Sequence, residues 1–443
     1  MSGYLGLKIR PAHKLRGKVS LPGDKSLSHR ALLLAALADG VSRIENCLVA
    51  GVTEAMIECL RAMKLDVKIE GEPESPVVAI GGRKLHGLTP PEGPLNCHGS
   101  ATTMRLLAGV MAGQSFASVL DGNQNLRMRP MDRIVEPLVA KGARIETANG
   151  NAPLTFLPSP LRSSEHALPV ASAQVKSALL LAGLYADGPT TVVEPHTSRD
   201  HTERLLGSLG VPIDRWKDGQ GRHVVTISPN GFSLPELNLR LPSDPSSAAF
   251  LLAAGLLAPD SEIEVSDLCL NPGRTGLLEV VQSMSADIKL STGLERNGEP
   301  TGTLYVRSSS LKGATVGGSL VTRMIDEFPI LAVAATQAHG KTVVRDAEEL
   351  RFKESDRIET LADELSKMGA DIQTRPDGFE IQGPVQLKGA LVNARGDHRI
   401  AMSLAVAGLV ARGETVIEGW EIIRESFPQF PEVLKQLGAD LDW

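Results

Sequence analysis

The sequence predicts an α/β protein of two similar bodies, each assembled from three βαβαββ units around buried helices. Three observations point there. Six times, a small or polar opening leads into an Ala/Leu-rich run: DKSLSHRALLLAAL, HGSATTMRLLAGVMA, SAQVKSALLLAGLYA, DPSSAAFLLAAGLLA, DEFPILAVAAT and DHRIAMSLAVAGLVA. Successive openings lie about 70 to 80 residues apart, the period of a small α/β unit used repeatedly. A second element recurs in phase with the first, an amphipathic helix passing through a small residue into a short strand: LRAMKLDVKI, LVAKGARIE, LGSLGVPID, VQSMSADIK, LSKMGADIQ and LKQLGADLD. Finally, 443 residues exceed what one ordinary core holds, so two bodies are expected.

The first kind of helix is apolar almost all round and needs neighbours on every side. The second kind, as in Ile57–Met63, carries charge on one face and reads as a cover. Between them, β-branched stretches such as Thr190–Val193 and Lys341–Val344 read as strands. Three units sharing one centre would place the apolar helices inside and the sheets outside. The repetition leaves open which three belong together.

Composition narrows the function. A net charge of −6 argues against a general nucleic-acid binder, and 3% aromatic residues leave little for base stacking. The four cysteines, Cys47, Cys59, Cys97 and Cys269, show no C-x-x-C spacing, which disfavours a zinc site and a disulfide scaffold and fits a reducing cytosol. No signal-peptide core opens the chain and no apolar run reaches the roughly 18 residues of a membrane span, so a cytoplasmic protein is expected.

The helix openings are richer in cations and hydroxyls than packing requires. They carry Lys25, Ser26 and Arg30; Ser100, Thr102 and Arg105; Arg127 and Arg129; Ser172, Gln174 and Lys176; Arg199; Lys353 and Arg357; Arg395 and Arg399, joined by Asp326, Glu327, Glu354 and Asp356. Asp24, Ser26 and Ser28 are good N-cap types. A helix N-terminus presents unpaired N–H groups and a partial charge of about +0.5, so cations added there suit phosphate or carboxylate. In Phe352–Arg357, helical spacing sets Lys353 and Arg357 one turn apart on one face, with Glu354 an i,i+3 neighbour of Arg357. His398, opening the last buried helix, reads as a structural histidine rather than a base.

The motifs LPGDKSLSHRALLLAAL, SATTMRLLAG, LRMRPMDRIVEPL, SAQVKSALLLAGL, TSRDHTERLL, IDEFPILAVAA, RFKESDRI and GDHRIAM occur in that order. With them the chain resembles, essentially end to end, the 5-enolpyruvylshikimate-3-phosphate synthase family (3-phosphoshikimate 1-carboxyvinyltransferases). The SAQVKSALLLAGL and TSRDHTE wording is similar to the family's glyphosate-insensitive class. The resemblance implies the inverse α/β barrel fold of enolpyruvyl transferases, with three βαβαββ repeats per domain around buried parallel helices. One domain is discontinuous, residues 1–21 plus 242–443. The other, residues 22–241, is inserted, and the active site is expected in the cleft between them.

The implied reaction transfers the carboxyvinyl group of phosphoenolpyruvate to the 5-hydroxyl of shikimate 3-phosphate and releases phosphate, with no metal or organic cofactor. The implied partners are those two small molecules, for a monomer that engages neither nucleic acid nor membrane. By motif position, Lys25, Ser26 and Arg30 hold both substrates, with Lys25 between the hydroxyl and the leaving phosphate. Arg129, Lys353, Arg357 and Arg399 hold phosphoenolpyruvate. Ser172, Ala173 and Gln174 contact shikimate 3-phosphate, with Ser172 and Arg199 near its phosphate. Asp326 is the implied base at the 5-hydroxyl, and Glu354 the implied acid/base at the methylene carbon. Ala101 and Thr102 belong to the same implied binding surface.

Three positions depart from the family pattern. Where it carries G-N-A/S-G-T-A/T-M-R, this chain reads His98–Arg105, with Gly99 for the usual Asn and Ala101 for the usual Gly. The added methyl of Ala101 should meet glyphosate, which extends beyond phosphoenolpyruvate. Glu425 stands where some members carry a phosphate-binding lysine. The related enzyme that transfers the same group to UDP-N-acetylglucosamine is disfavoured: no cysteine lies between Met111 and Met131, and Ser26, not asparagine, follows Lys25. A non-catalytic anion-binding protein of the same fold is the remaining alternative. The joint presence of Lys25, Asp326 and Glu354 speaks against it.

Overall fold

The structure, a computed structural model, describes residues 6–73, 75–229 and 231–443. The chain divides into two compact units. One comprises the chain up to Pro22 with Ser243–Leu294 and Pro300–Trp443; the other comprises Gly23–Pro242 and the short excursion Glu295–Glu299. The expected boundaries did not include that excursion. It stays with the Gly23–Pro242 unit because Glu299 Oε1 meets buried His201 Nδ1 at 2.8 Å and Arg204 donates to the Gly298 carbonyl at 2.8 Å.

Among the described residues, six four-stranded sheets share one topology, three in each unit. In the sheet around Thr190–Glu194, that strand runs parallel to Ser164–Ala167 and antiparallel to His223–Ile227, which pairs antiparallel with Ile213–Lys217. Strand Asn151–Leu157 shows why such sheets form: Ala152, Leu154 and Phe156 alternate inward with period two.

Three sheets are completed by chain from a distance. Arg16–Ser20, just before Pro22, pairs parallel with Glu262–Cys269. Asn238–Arg240, just before Pro242, pairs parallel with Val41–Glu45. Leu7–Ile9 lies between Thr415–Glu418 and Leu441–Asp442. The similar segments Leu21–Asp24 and Leu241–Asp244 then exchange bonds: Asp24 N–H donates to the Pro242 carbonyl at 2.8 Å and Asp244 N–H to the Pro22 carbonyl at 3.1 Å.

Each unit contains three of the apolar helices. They span Lys25–Leu37, Ala101–Met111 and Ala173–Gly183 in one, and Pro245–Leu257, Phe328–Gln337 and His398–Val410 in the other. Their openings follow cap chemistry. Asp24 accepts from Leu27 N–H, Ser100 from Thr103 N–H, Ser172 from Val175 N–H, Asp244 from Ser246 N–H and Asp397 from Arg399 N–H. The helices pack closely where small residues allow. A Cβ added at Gly109 would lie 2.3 Å from the Ala178 carbonyl oxygen and 2.9 Å from its Cα, so only glycine fits there.

The covering helices, such as Arg357–Lys367 and Phe430–Gln436, turn into their strands through residues at positive φ. These are Gly142, Gly210, Gly369 and Gly438, and in two units Lys64 and Ser285. This left-handed exit explains the small residue that recurs in the sequence.

Candidate active site

In the Gly23–Pro242 unit, Asp24 caps the helix that Lys25 opens, leaving Lys25 and Ser26 half-buried at its N-terminus. His29 fixes that end. Its Nδ1 lies 2.7 Å from the Lys25 carbonyl oxygen, and its Nε2 lies 3.0 Å from the Val52 carbonyl oxygen and 3.3 Å from Ser100 Oγ. Full burial pushes the imidazole down to about 4, so the ring is neutral at pH 7. Arg30 is buried too, and desolvation lowers its pKa to about 10. Its Nε donates to Thr202 Oγ1 at 2.7 Å, Nη2 to Ser177 Oγ at 2.7 Å and Nη1 to the Ser26 carbonyl at 2.9 Å. Three of the five guanidinium N–H groups are thus committed to the protein.

Two further openings of this unit are joined by an amide. Gln174 Oε1 accepts from Arg105, while Gln174 Nε2 donates to Thr102 Oγ1 at 3.0 Å. Ala101, 5% exposed, is the first residue of its helix. A Cβ at Gly99 would stand 3.2 Å from Asn123 Nδ2, so the space a longer side chain would enter is already occupied by an amide. Ser172, Ala173 and Gln174 are half-buried at the opening of the third helix, and Arg129 and Arg199 are half-buried on adjoining loops.

Two cations that the sequence grouped with these are committed elsewhere. Arg127 is held by Asp121. Lys176 is buried between Glu194 Oε2 at 2.7 Å and Glu203 Oε1 at 2.8 Å. Burial opposes its charge, but the two glutamates outweigh burial and raise its pKa.

The other unit gathers the carboxylates. Arg357, 1% exposed, donates through Nη2 to Glu354 Oε2 at 2.7 Å and through Nε to Asp397 Oδ2 at 2.8 Å, and its Nη1 lies 3.5 Å from Asp326 Oδ1. Arg399 Nη1 donates to the Asp326 carbonyl at 3.2 Å, and Arg399 Nε lies 3.6 Å from Asp326 Oδ1. Asp326 and Glu354 therefore flank one guanidinium, with a second beside Asp326. Buried Asp397 also caps the last apolar helix and accepts from Ser355 Oγ at 3.3 Å. Burial alone would raise its pKa; the Arg357 charge reverses that and holds it below the usual carboxylate range. Lys353 Nζ sits 3.1 Å from Glu349 Oε1, and burial lowers its pKa.

One local expectation fails. Lys353 and Arg357 do not share a helix: a 3₁₀ turn, Glu348–Phe352, ends before Lys353, and the next helix begins at Arg357. Asp356 forces the break, because its carboxylate accepts from the N–H groups of Ile358 and Glu359 and so starts a new helix. Asp397 was missed as the partner of Arg357; the visible signal was an Asp cap directly before a helix that opens with arginine. Glu425 ends the 3₁₀ segment Trp420–Glu425.

The chain as a whole has counterparts among known proteins. The sequence model of EPSP synthase (3-phosphoshikimate 1-carboxyvinyltransferase) matches residues 9–434. The chain belongs to the EPSP synthase family. It is therefore an enzyme that transfers the enolpyruvyl group of phosphoenolpyruvate to the 5-hydroxyl of shikimate 3-phosphate with release of phosphate, a step of the shikimate pathway. The 3-phosphoshikimate 1-carboxyvinyltransferase of Salinibacter ruber is 48% identical to this chain, covering 97% of it and 99% of the relative. That of Citrifermentans bemidjiense is 46% identical over 96% and 98%. The EPSP synthase of Acinetobacter baumannii superposes with a TM-score of 0.86 at 37% identity, covering 99% of both chains. The enolpyruvyl transferase NikO of Streptomyces tendae, at 19% identity and TM-score 0.75 over 99% and 98%, shares the fold.

Proposed function

We propose that the two sets of residues serve one pair of substrates. Lys25, Ser26 and Arg30 hold both substrates, Ala101 and Thr102 belong to the same binding surface, and Ser172, Ala173 and Gln174 contact shikimate 3-phosphate, with Ser172 and Arg199 at its phosphate. Arg129, Lys353, Arg357 and Arg399 hold phosphoenolpyruvate, while Lys25 lies between the hydroxyl and the leaving phosphate. Asp326 takes the proton of the 5-hydroxyl and Glu354 delivers one to the methylene carbon. Elimination then breaks the C–O bond to phosphate: the methyl carbon returns its proton to Glu354 and the departing phosphate takes up the proton held by Asp326, so each acid is used twice in a cycle that needs no external oxidant or reductant.

The observation that carries this reading is the placing of Asp326 and Glu354 on one buried guanidinium, Arg357, within 3.5 and 2.7 Å. A pair of carboxylates beside arginines can move protons next to an anionic reactant without leaving net negative charge to repel it. The deciding assay is phosphate release from phosphoenolpyruvate that requires shikimate 3-phosphate. Asp326→Ala and Glu354→Ala should each lower kcat by at least about 100-fold. An unchanged kcat in either variant removes that residue from its role.

The same reading makes the chain a cytoplasmic monomer with no nucleic-acid or membrane partner. Among the described residues no helix is long and apolar enough to cross a membrane, and the charge of −6 opposes polyanions. Light scattering at working concentration tests the oligomeric state.

A further inference from the structure

Glu194, the last residue of the strand Thr190–Glu194, has no role above, yet it joins two residues that do. Its side chain is buried. Oε1 accepts from the Ser172 backbone N–H at 3.1 Å and from Ser198 Oγ at 2.6 Å; Oε2 accepts from Lys176 Nζ at 2.7 Å. Lys176 continues to Glu203 Oε1 at 2.8 Å. Glu203 adjoins Thr202, whose hydroxyl receives Arg30 Nε at 2.7 Å and meets Ser177 Oγ at 2.7 Å. A strand end, two helices and two loops are thereby locked to one buried Glu–Lys–Glu triad.

We propose that Glu194 is a positioning residue for the phosphate of shikimate 3-phosphate. One carboxylate oxygen sets the loop ending at Ser172 and the loop carrying Ser198 and Arg199 in a single register, so that Ser172 and Arg199 face the same anion. A carboxylate so near a bound phosphate would repel it. Lys176 prevents this: the charges of Glu194 and Glu203 are balanced by Lys176 and Arg30. A fully buried carboxylate also requires a partner of opposite charge to persist as an anion, which Lys176 supplies. The lysine that resembles an anion ligand in the sequence acts instead from behind, on the acid that aligns the ligands. This inference rests on the assignment of Ser172 and Arg199 to that phosphate.

The test compares Glu194→Ala, Glu194→Gln, Ser198→Ala and Arg199→Ala. Steady-state kinetics are run with each substrate varied, and shikimate 3-phosphate binding is followed by calorimetry. Glu194→Ala should raise both KM and Kd for shikimate 3-phosphate about tenfold or more, leaving kcat and the KM for phosphoenolpyruvate within about twofold. Glu194→Gln keeps an amide oxygen for Ser172 and Ser198 and should recover most of the affinity. Ser198→Ala leaves the triad intact and should give a smaller loss of the same kind, which keeps the test available if Glu194→Ala does not fold. An unchanged Kd in Glu194→Ala and Ser198→Ala, or an equal loss toward both substrates, overturns the positioning role. If Arg199→Ala also leaves Kd unchanged, the phosphate assignment falls and the inference with it; if Arg199→Ala alone weakens binding, only the role of Glu194 is lost.

Discussion

Replacing Asp397 by Asn tests how the Arg357 cluster is held. Asp397 is fully buried and accepts from Arg357 Nε at 2.8 Å, Arg357 Nη2 at 3.4 Å, Ser355 Oγ at 3.3 Å and Arg399 N–H at 2.9 Å. Asn keeps the volume and one oxygen for the helix cap, but removes the charge and turns an NH₂ toward a guanidinium. Removing one partner of a buried ion pair costs about 3–5 kcal/mol. Arg357 keeps Glu354 at 2.7 Å, so the low end, about 3 kcal/mol, applies. At about 2–4 °C per kcal/mol for a unit of this size, calorimetry should show the melting midpoint fall by about 6–12 °C. Asp397→Ala also loses the cap and should cost about 1 kcal/mol more. Because Arg357 holds the Asp397 carboxyl below its unfolded value, its stabilisation is complete above the unfolded pKa of about 4 and is lost as pH falls through the folded value. The gap between wild type and Asp397→Asn should therefore shrink in acid. A midpoint within about 1 °C of wild type at pH 7 would refute the reasoning, since even a 1 kcal/mol loss shifts it further.

Ala101→Gly should lower the inhibition constant for glyphosate about tenfold or more, with the KM for phosphoenolpyruvate within a few-fold, as expected when one methyl group stands against the longer ligand; competitive inhibition assays read both. Gly109→Ala drives a methyl into the Ala178 backbone and should destabilise by about 1–3 kcal/mol; an unaltered thermal midpoint would contradict that close approach. Lys141 is buried, donates to the Arg162 carbonyl at 2.8 Å and Ser164 Oγ at 3.2 Å, and is lowered by desolvation to about 8. The unfolded chain binds more protons between pH 8 and 10.5, so stability gains from this residue as pH rises across that window. Lys141→Met should flatten that rise by a few degrees in the midpoint.

The repeating architecture was legible because each unit writes the same signals in its own local sequence. Asp24, Ser100, Ser172, Asp244 and Asp397 announce helix starts, and the apolar runs behind them can only be buried. What the chain does at distance was not legible. Nothing near Leu7–Ile9 names Thr415–Ile417 and Leu441–Asp442 as its neighbours. The cation pattern misled for the same reason. Lys176 and Arg129 look alike at helix openings, but the acids that claim Lys176 lie 18 and 27 residues on, at Glu194 and Glu203. The break at Lys353 was readable in principle, since Asp356 is a cap residue directly before an amphipathic run; helical spacing prevailed over it there.

The exchange of strands at Pro22 and Pro242 also dictates an order of events on the ribosome. The sheets of the Gly23–Pro242 unit have all their strands once Arg240 has emerged from the exit tunnel. Leu7–Ile9 and Arg16–Ser20, although they precede that unit in the chain, must wait for partners that follow it, Glu262–Cys269 and Leu441–Asp442. This stretch of nascent chain thus matures from its middle outward, and Leu7–Ile9 and Arg16–Ser20 remain in need of shelter until those later strands have emerged.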